Sequence, residues 1–115
     1  MMDLRLYKIL ELSEWFLLKK KNYFVGSKID RSSGFIHMCR KDQLLTTINL
    51  HYLGVRKLAI LEFRYLRIKD KIKWEISRNE LLFPHFYGIF AYRIINNVYI
   101  MDNKAPKKRI KFQNV

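Results

Sequence analysis

The sequence predicts one domain in which short β-strands outnumber two short helices, and three observations carry that reading. Apolar and charged residues alternate at the start of the chain, the apolar spacing of residues 42–53 fits one helical face, and the 115 residues are 50% hydrophobic. A chain of this length buries roughly two thirds of the surface its unfolded form exposes, enough for one core and not for two. It has none of the Gly, Pro or Ser enrichment of a disordered chain.

Residues 4–10 open with Leu4, Arg5 and Leu6, the period of a strand with one buried face. Ser13 is the expected cap of a first helix. Glu14 lies near its positive end, Lys19, Lys20 and Lys21 near its negative end, and Trp15 and Leu18 share its buried face. Residues 23–29 read as an irregular strand through Gly26, and residues 30–34 as a loop built from turn-forming side chains. Residues 34–39 are short, apolar and bounded by that loop, as a buried strand is, with His37 the one polar side chain. Between 42 and 53, Leu44, Leu45, Ile48 and Tyr52 fall on one helical face, and Gly54 supplies a left-handed stop.

Residues 58–63 are apolar on both parities, which suits a strand lying mid-sheet with both faces covered. Around 71–76, Ile72, Trp74 and Ile76 alternate with charged residues, giving a half-exposed strand whose outer face is mostly lysine. After a turn at 77–79, residues 81–88 follow neither period, and Pro84 argues against helix or central strand, so an ordered loop is expected. Asn96 and Asn97 mark either a hairpin or a turn into a final strand. The domain is assigned to residues 1–103. A basic tail follows at 104–115, with Lys104, Lys107, Lys108, Arg109 and Lys111.

The longest charge-free stretch, residues 81–92, is shorter than the roughly 18 residues a bilayer span needs, so no membrane partner is expected. Charges near the start interrupt any secretory apolar run, and the single Cys39 has no intrachain disulfide partner. Both features point to the cytoplasm. The net charge of +13, from 23 Lys and Arg against 10 Asp and Glu, attracts polyanions. A coding sequence rich in A and T gives the same bias, and 13 Ile stand beside three Ala.

His37, Cys39 and either His51 or His85 invite a zinc site, but the paired spacing of zinc ligands is missing, so no metal is expected. Cys39 near His37 suggests a thiolate nucleophile, and a lone buried thiol is the commoner case. The four glycines stand too far apart for a phosphate-cradling loop. What remains are polar residues in apolar surroundings, Asp30, His37, Trp74, Glu75, Arg78, His85 and Tyr87, which form either a buried network or a ligand cleft.

Taken in order, Tyr7 to Leu10, Trp15, Gly26 and Ser27 with Asp30, Gly34 to His37, Gln43, Trp74 and Glu75, and Leu82 to Gly88 resemble a small bacterial family, the domain of unknown function DUF952. The likeness runs from about Leu6 to Ile100. It implies an α+β fold of the ADP-ribosyltransferase type, with mixed or antiparallel sheets around a cleft that holds NAD in relatives. Within that superfamily, RNA 2′-phosphotransferases carry a strand similar to Ile36, His37, Met38 and Cys39.

The resemblance thus implies binding of NAD or an ADP-ribose-like nucleotide, with ADP-ribosyl or phosphate transfer. His37, Glu75 and His85 are the catalytic candidates. Lys8, Ser27, Asp30, Trp74, Arg78 and Tyr87 are the ligand-binding ones, with Arg78 or Lys8 meeting a pyrophosphate. Two departures stand out: the family's His-Leu-Ser reads His37, Met38, Cys39 here, and a proline expected after His85 is missing. The alternative function is a noncatalytic nucleic-acid-binding module, in which lysines neutralise phosphates and aromatic rings stack on bases.

Overall fold

The computed structural model describes residues 3–103; the expected basic tail lies outside them. Strand β1 (Arg5–Glu11) is buried without interruption from Leu6 to Leu10. Leu6 and Leu10 enter one apolar cluster while Tyr7 and Ile9 enter a second, so the strand is covered on both faces rather than the one expected. It pairs antiparallel with β5 (Lys57–Arg64) along its whole length, Leu6 opposite Phe63 and Leu10 opposite Ala59. Strand β9 (Asn97–Asp102) lies on the far edge of β5 and β4 (Cys39–Arg40) on the far edge of β1, giving the order β4-β1-β5-β9. β5 therefore sits mid-sheet, as its apolar run predicts. The turn reading of Asn96, leading into β9, is the one observed.

Helix α1 (Leu12–Lys21) brings Trp15 and Leu18 into the cluster of Leu6 and Leu10, and α3 (Lys41–His51) brings Leu44 and Ile48 into that of Tyr7 and Ile9. The central sheet is thus flanked by a helix on each face. Each fully buried Leu, Ile or Phe in these layers contributes about 1.5–3 kcal/mol. A three-stranded sheet, β3 (Ile36–His37), β7 (Leu82–Phe86) and β6 (Ile72–Ile76), turns Ile36, Phe86, Ile72 and Trp74 toward the first cluster. A two-stranded ladder of β2 (Tyr23–Phe24) and β8 (Phe90–Ala91) adds Phe24 and Phe90. Every pairing is antiparallel.

Several expectations are corrected. The loop expected at 30–34 is mostly helix α2 (Lys28–Ser33), and only two residues of the expected strand at 23–29 pair. Ser27 caps α2, the Asp30 carboxylate accepts from the Ser27 N–H in return, and Gly34 closes the helix at φ +88°. This reciprocal cap holds a helix too short to persist by itself. The strand expected at 34–39 is broken at Met38, with His37 in one sheet and Cys39 in another.

The expected loop at 81–88 contains β7, the middle strand of its sheet. Pro84 fits because its carbonyl accepts from Met38 N–H at 3.2 Å, and the N–H it lacks faces the same side, where the β3 ladder ends. Helix α1 starts at Leu12, with the Glu11 N–H donating to Glu14, so Ser13 lies inside it. Tyr52 ends α3, and Gly54 (φ +87°) serves the following turn. A four-residue helix α4 (Tyr65–Ile68) brings the α-helices to four among the described residues, not two. No helix among them is long and apolar enough to cross a membrane.

Candidate functional site

In β7, residues 83 and 85 share a side by the two-residue period of a strand, and Tyr87 follows directly after its end. Register sets His85 directly opposite His37 on β3 and Lys73 on β6, and Phe83 opposite Glu75. One side of this sheet therefore presents His37, His85, Lys73 and Glu75 as cross-strand neighbours. The two imidazole centroids are 5.7 Å apart. Phe35 stacks on His85 at 3.9 Å and 18°, and also touches His37 at 4.7 Å and Tyr87 at 5.5 Å.

Each imidazole is anchored through Nδ1 to a carboxylate. His37 Nδ1 donates to Asp30 Oδ1 at 2.6 Å, and His85 Nδ1 donates to Glu75 Oε1 at 2.7 Å. Both carboxylates are ionised. Burial pushes the Asp30 carboxyl upward, but the hydrogen bond from His37 and the Lys8 ammonium outweigh it and hold the group well below the usual carboxylate range. Hydrogen bonds from His85 and Tyr87 hold Glu75 below its ordinary value. An ionised carboxylate only accepts, so Nδ1 carries the proton in both rings and Nε2 is the atom left for a ligand. His85 is nearly sealed, whereas the His37 side chain is 37% exposed.

Behind His37 lies a buried knot. Asp30 accepts from Lys8 Nζ (2.8 Å to Oδ2), from Ser27 N–H (2.9 Å) and from His37 N–H (3.0 Å), besides the imidazole. Gly26 makes room: at φ +112°, a Cβ there would lie 2.8 Å from Asp30 Cβ. On the other flank, Tyr87 Oη donates to Glu75 Oε1 at 2.8 Å, which pushes the phenol up, and Lys73 Nζ lies 4.8 Å above the Tyr87 ring.

Of the residues singled out in the sequence, His37, Glu75, His85 and Tyr87 thus come together on one face. Lys8, Ser27 and Asp30 lie beneath it, with the Lys8 ammonium, 4% exposed, paired to the Asp30 carboxylate that holds His37. Trp74, with parity opposite to Glu75, lies on the other side of the sheet, where it packs against the first cluster and meets Tyr65 at 6.1 Å. Arg78 lies over Phe83. Phe35 and Lys73 were missed, although Phe35 precedes His37 by two residues and Lys73 precedes Glu75 by two, spacings that share a strand face. Cys39 is fully buried, which pushes its thiol up to about 12, so it supplies no thiolate. Among the described residues no three His, Cys, Asp or Glu side chains gather as a metal site would require.

A wide basin of about 790 Å³ lies elsewhere, beside Arg5, Tyr7, Arg40 and Glu62. Of its three carboxylates, Asp3, Asp42 and Glu62, the most buried, Glu62, already accepts from Tyr7, Arg5 and Asn96. The paired imidazoles, each with a nitrogen that no hydrogen bond among the described residues engages, are the better-equipped chemical surface.

The fold and this face define a class: a small α+β domain of antiparallel sheets with few helices, carrying two carboxylate-anchored histidines on the smaller sheet. The family model for Protein of unknown function (DUF952) matches residues 9–98, and the chain belongs to that family. The crystal structure of protein CC0527 from Caulobacter crescentus is similar at 30% identity and a TM-score of 0.81, over 89% of this chain and 90% of that one. A double mutant of CC0527 gives the same values. Its solution NMR structure gives 29% identity and a TM-score of 0.80, over 90% and 91% of the two chains. None of the curated proteins matches the chain.

Proposed function

We propose that the imidazole face binds a nucleotide of the NAD or ADP-ribose kind and transfers an ADP-ribosyl or phosphate group from it. The observation that carries this reading is the pair of imidazoles 5.7 Å apart on one side of one sheet, each fixed through Nδ1 to a carboxylate. An imidazole held through Nδ1–H keeps a bare Nε2, which can take up a proton and return it from the same atom. The resemblance of the family to ADP-ribosyltransferases also supports it.

In the ADP-ribosyl case, the bond from ribose C1′ to nicotinamide breaks with its electron pair leaving on the nicotinamide nitrogen. Positive charge then develops on the ribose, and the 40% exposed Glu75 carboxylate offsets it. An acceptor hydroxyl bonds C1′ as its proton passes to the Nε2 of His37, and Phe35 and Tyr87 supply flat faces for the rings.

The test is a titration of labelled protein with NAD and with ADP-ribose, followed by NMR at the imidazoles and amides. Saturable shifts at His37, His85, Phe35 and Tyr87, abolished by His37→Ala, are expected. A spectrum unchanged up to millimolar ligand overturns the reading.

The net charge of +13 supports a second reading, noncatalytic binding of nucleic acid, with Lys73 above Tyr87 as a cation and ring pair. That reading expects polynucleotide binding to fall steeply with salt and to be indifferent to His37→Ala.

A further inference from the structure

Arg78 stands beside the imidazole row in surroundings that do not satisfy it. Its guanidinium lies over the Phe83 ring, Cζ 4.8 Å from the centroid, and Nη2 donates to Thr47 Oγ1 at 3.1 Å. Among the described residues its Nε, sealed from solvent, has no acceptor. A buried N–H loses its hydration with nothing in return, and such groups in folded proteins are rare.

The backbone that delivers this side chain is also strained. Asn79 and Glu80, directly after it, have φ of 56° and 58°, two successive non-glycine residues in the left-handed region. Such conformations persist only where the surrounding fold imposes them, and they cluster at ligand sites.

Sheet register fixes where the guanidinium stands relative to the histidines. Phe83, which it covers, is directly opposite Glu75, and His85 follows two residues later on the same side of β7. Two residues along a strand span about 7 Å. Arg78 is therefore offset by about one such step from the ring of Phe35 and the imidazoles, on the side toward α3.

We propose that Arg78 is the phosphate clamp of this site: its Nη edge grips the phosphate oxygens of a nucleoside phosphate whose ribose and ring lie at the imidazoles and Phe35. The inference rests on the nucleotide reading above. A guanidinium pre-oriented on an aromatic face offers two parallel N–H groups, the geometry that phosphate accepts in bidentate fashion. Lys8, the other basic candidate, is committed to Asp30 beneath His37.

The experiment compares ADP-ribose with adenosine as NMR titrants of the full chain, for the wild type, Arg78→Met and Arg78→Lys. Met keeps an unbranched stem over Phe83 and removes the charge; Lys keeps the charge and removes the fork. The expected result is a loss of about tenfold to a hundredfold in ADP-ribose affinity for Arg78→Met. A smaller loss is expected for Arg78→Lys, and less than twofold change for adenosine with either variant. Equal ADP-ribose affinity in the wild type and in a folded Arg78→Met or Arg78→Lys overturns the clamp and leaves the nucleotide reading standing. Failure of the wild type to bind ADP-ribose or adenosine overturns both.

Discussion

Replacing Asp30 by Asn removes one charge from a pair in which both members are buried, Lys8 at 4% and Asp30 at 1% exposure. The two partners are not equally provided for. Asp30 accepts from Lys8, Ser27 N–H, His37 N–H and His37 Nδ1, whereas Asp30 is the acceptor the structure gives the Lys8 ammonium. Asp30→Asn therefore leaves a buried cation facing a neutral amide, and the expected loss is about 4 kcal/mol. Lys8→Met leaves Asp30 with three N–H donors, so about 2 kcal/mol is expected. The double variant, with no buried charge, should lose less than the sum of the two.

Urea unfolding at pH 7 reads these values. With a slope of roughly 2 kcal/mol per molar, Asp30→Asn moves the midpoint by about 2 M. The pH dependence supplies an independent check. The carboxyl of Asp30 titrates lower in the folded protein than its ordinary 3.8, so the folded state binds fewer protons there than the unfolded one. Its contribution is complete above the ordinary value and is lost as pH falls below it toward the folded value. The gap between wild type and Asp30→Asn should narrow between pH 5 and about pH 3. An Asp30→Asn loss below about 1 kcal/mol, equal losses from the two single variants, or a gap that widens in acid refutes the reasoning.

Gly26→Ala places a Cβ against Asp30 in a backbone conformation at φ +112° that side chains avoid, and should cost about 2 kcal/mol in urea unfolding; a loss under about half that removes the strain argument. In Glu75→Gln the charge beside Tyr87 Oη disappears, so the phenol, now held up by Glu75, should titrate lower, toward an ordinary tyrosine. A ring-carbon NMR titration of Tyr87 measures it, and an unmoved midpoint contradicts the hydrogen bond. The Cys39 thiol should resist alkylation at pH 8 in the folded protein and react on addition of denaturant; labelling at the rate of a free thiol in native buffer would show that burial does not control it.

The parts of the fold visible in the sequence are those with an uninterrupted period. β5 is legible because Leu58 to Phe63 is apolar on both parities, and α3 because Leu44 and Ile48 repeat on one face. β7 is not, because Phe83 to Phe86 are all buried and leave no alternation to detect, and because the cost of Pro84 depends on where a neighbouring strand stops. Composition made α2 look like a turn, although Ser27 followed three residues later by Asp30 is the spacing of a reciprocal cap. In the site, His37, Glu75, His85 and Tyr87 are legible as polar residues in apolar settings, and a stricter use of strand parity would have turned Trp74 inward and Lys73 outward. That Lys8 of β1 reaches Asp30 from beneath is a contact 22 residues apart that no local pattern reports.

The order of strands in the sheets bears on how the protein reaches this state in time. Among the described ladders, β6 with β7 joins near neighbours in the chain, while β1 with β5, β5 with β9, β2 with β8 and β3 with β7 each close a long stretch of chain. Loop-closure entropy makes such pairings slow, and domains dominated by them fold over milliseconds to seconds, roughly a thousand times slower than a local hairpin. The hairpin holding Glu75 and His85 can form early, but His37 reaches its partner only when the rest of the chain has closed. Refolding should therefore restore the Glu75 half of the face before the two imidazoles meet, and a nascent or partly unfolded chain carries only half of the site.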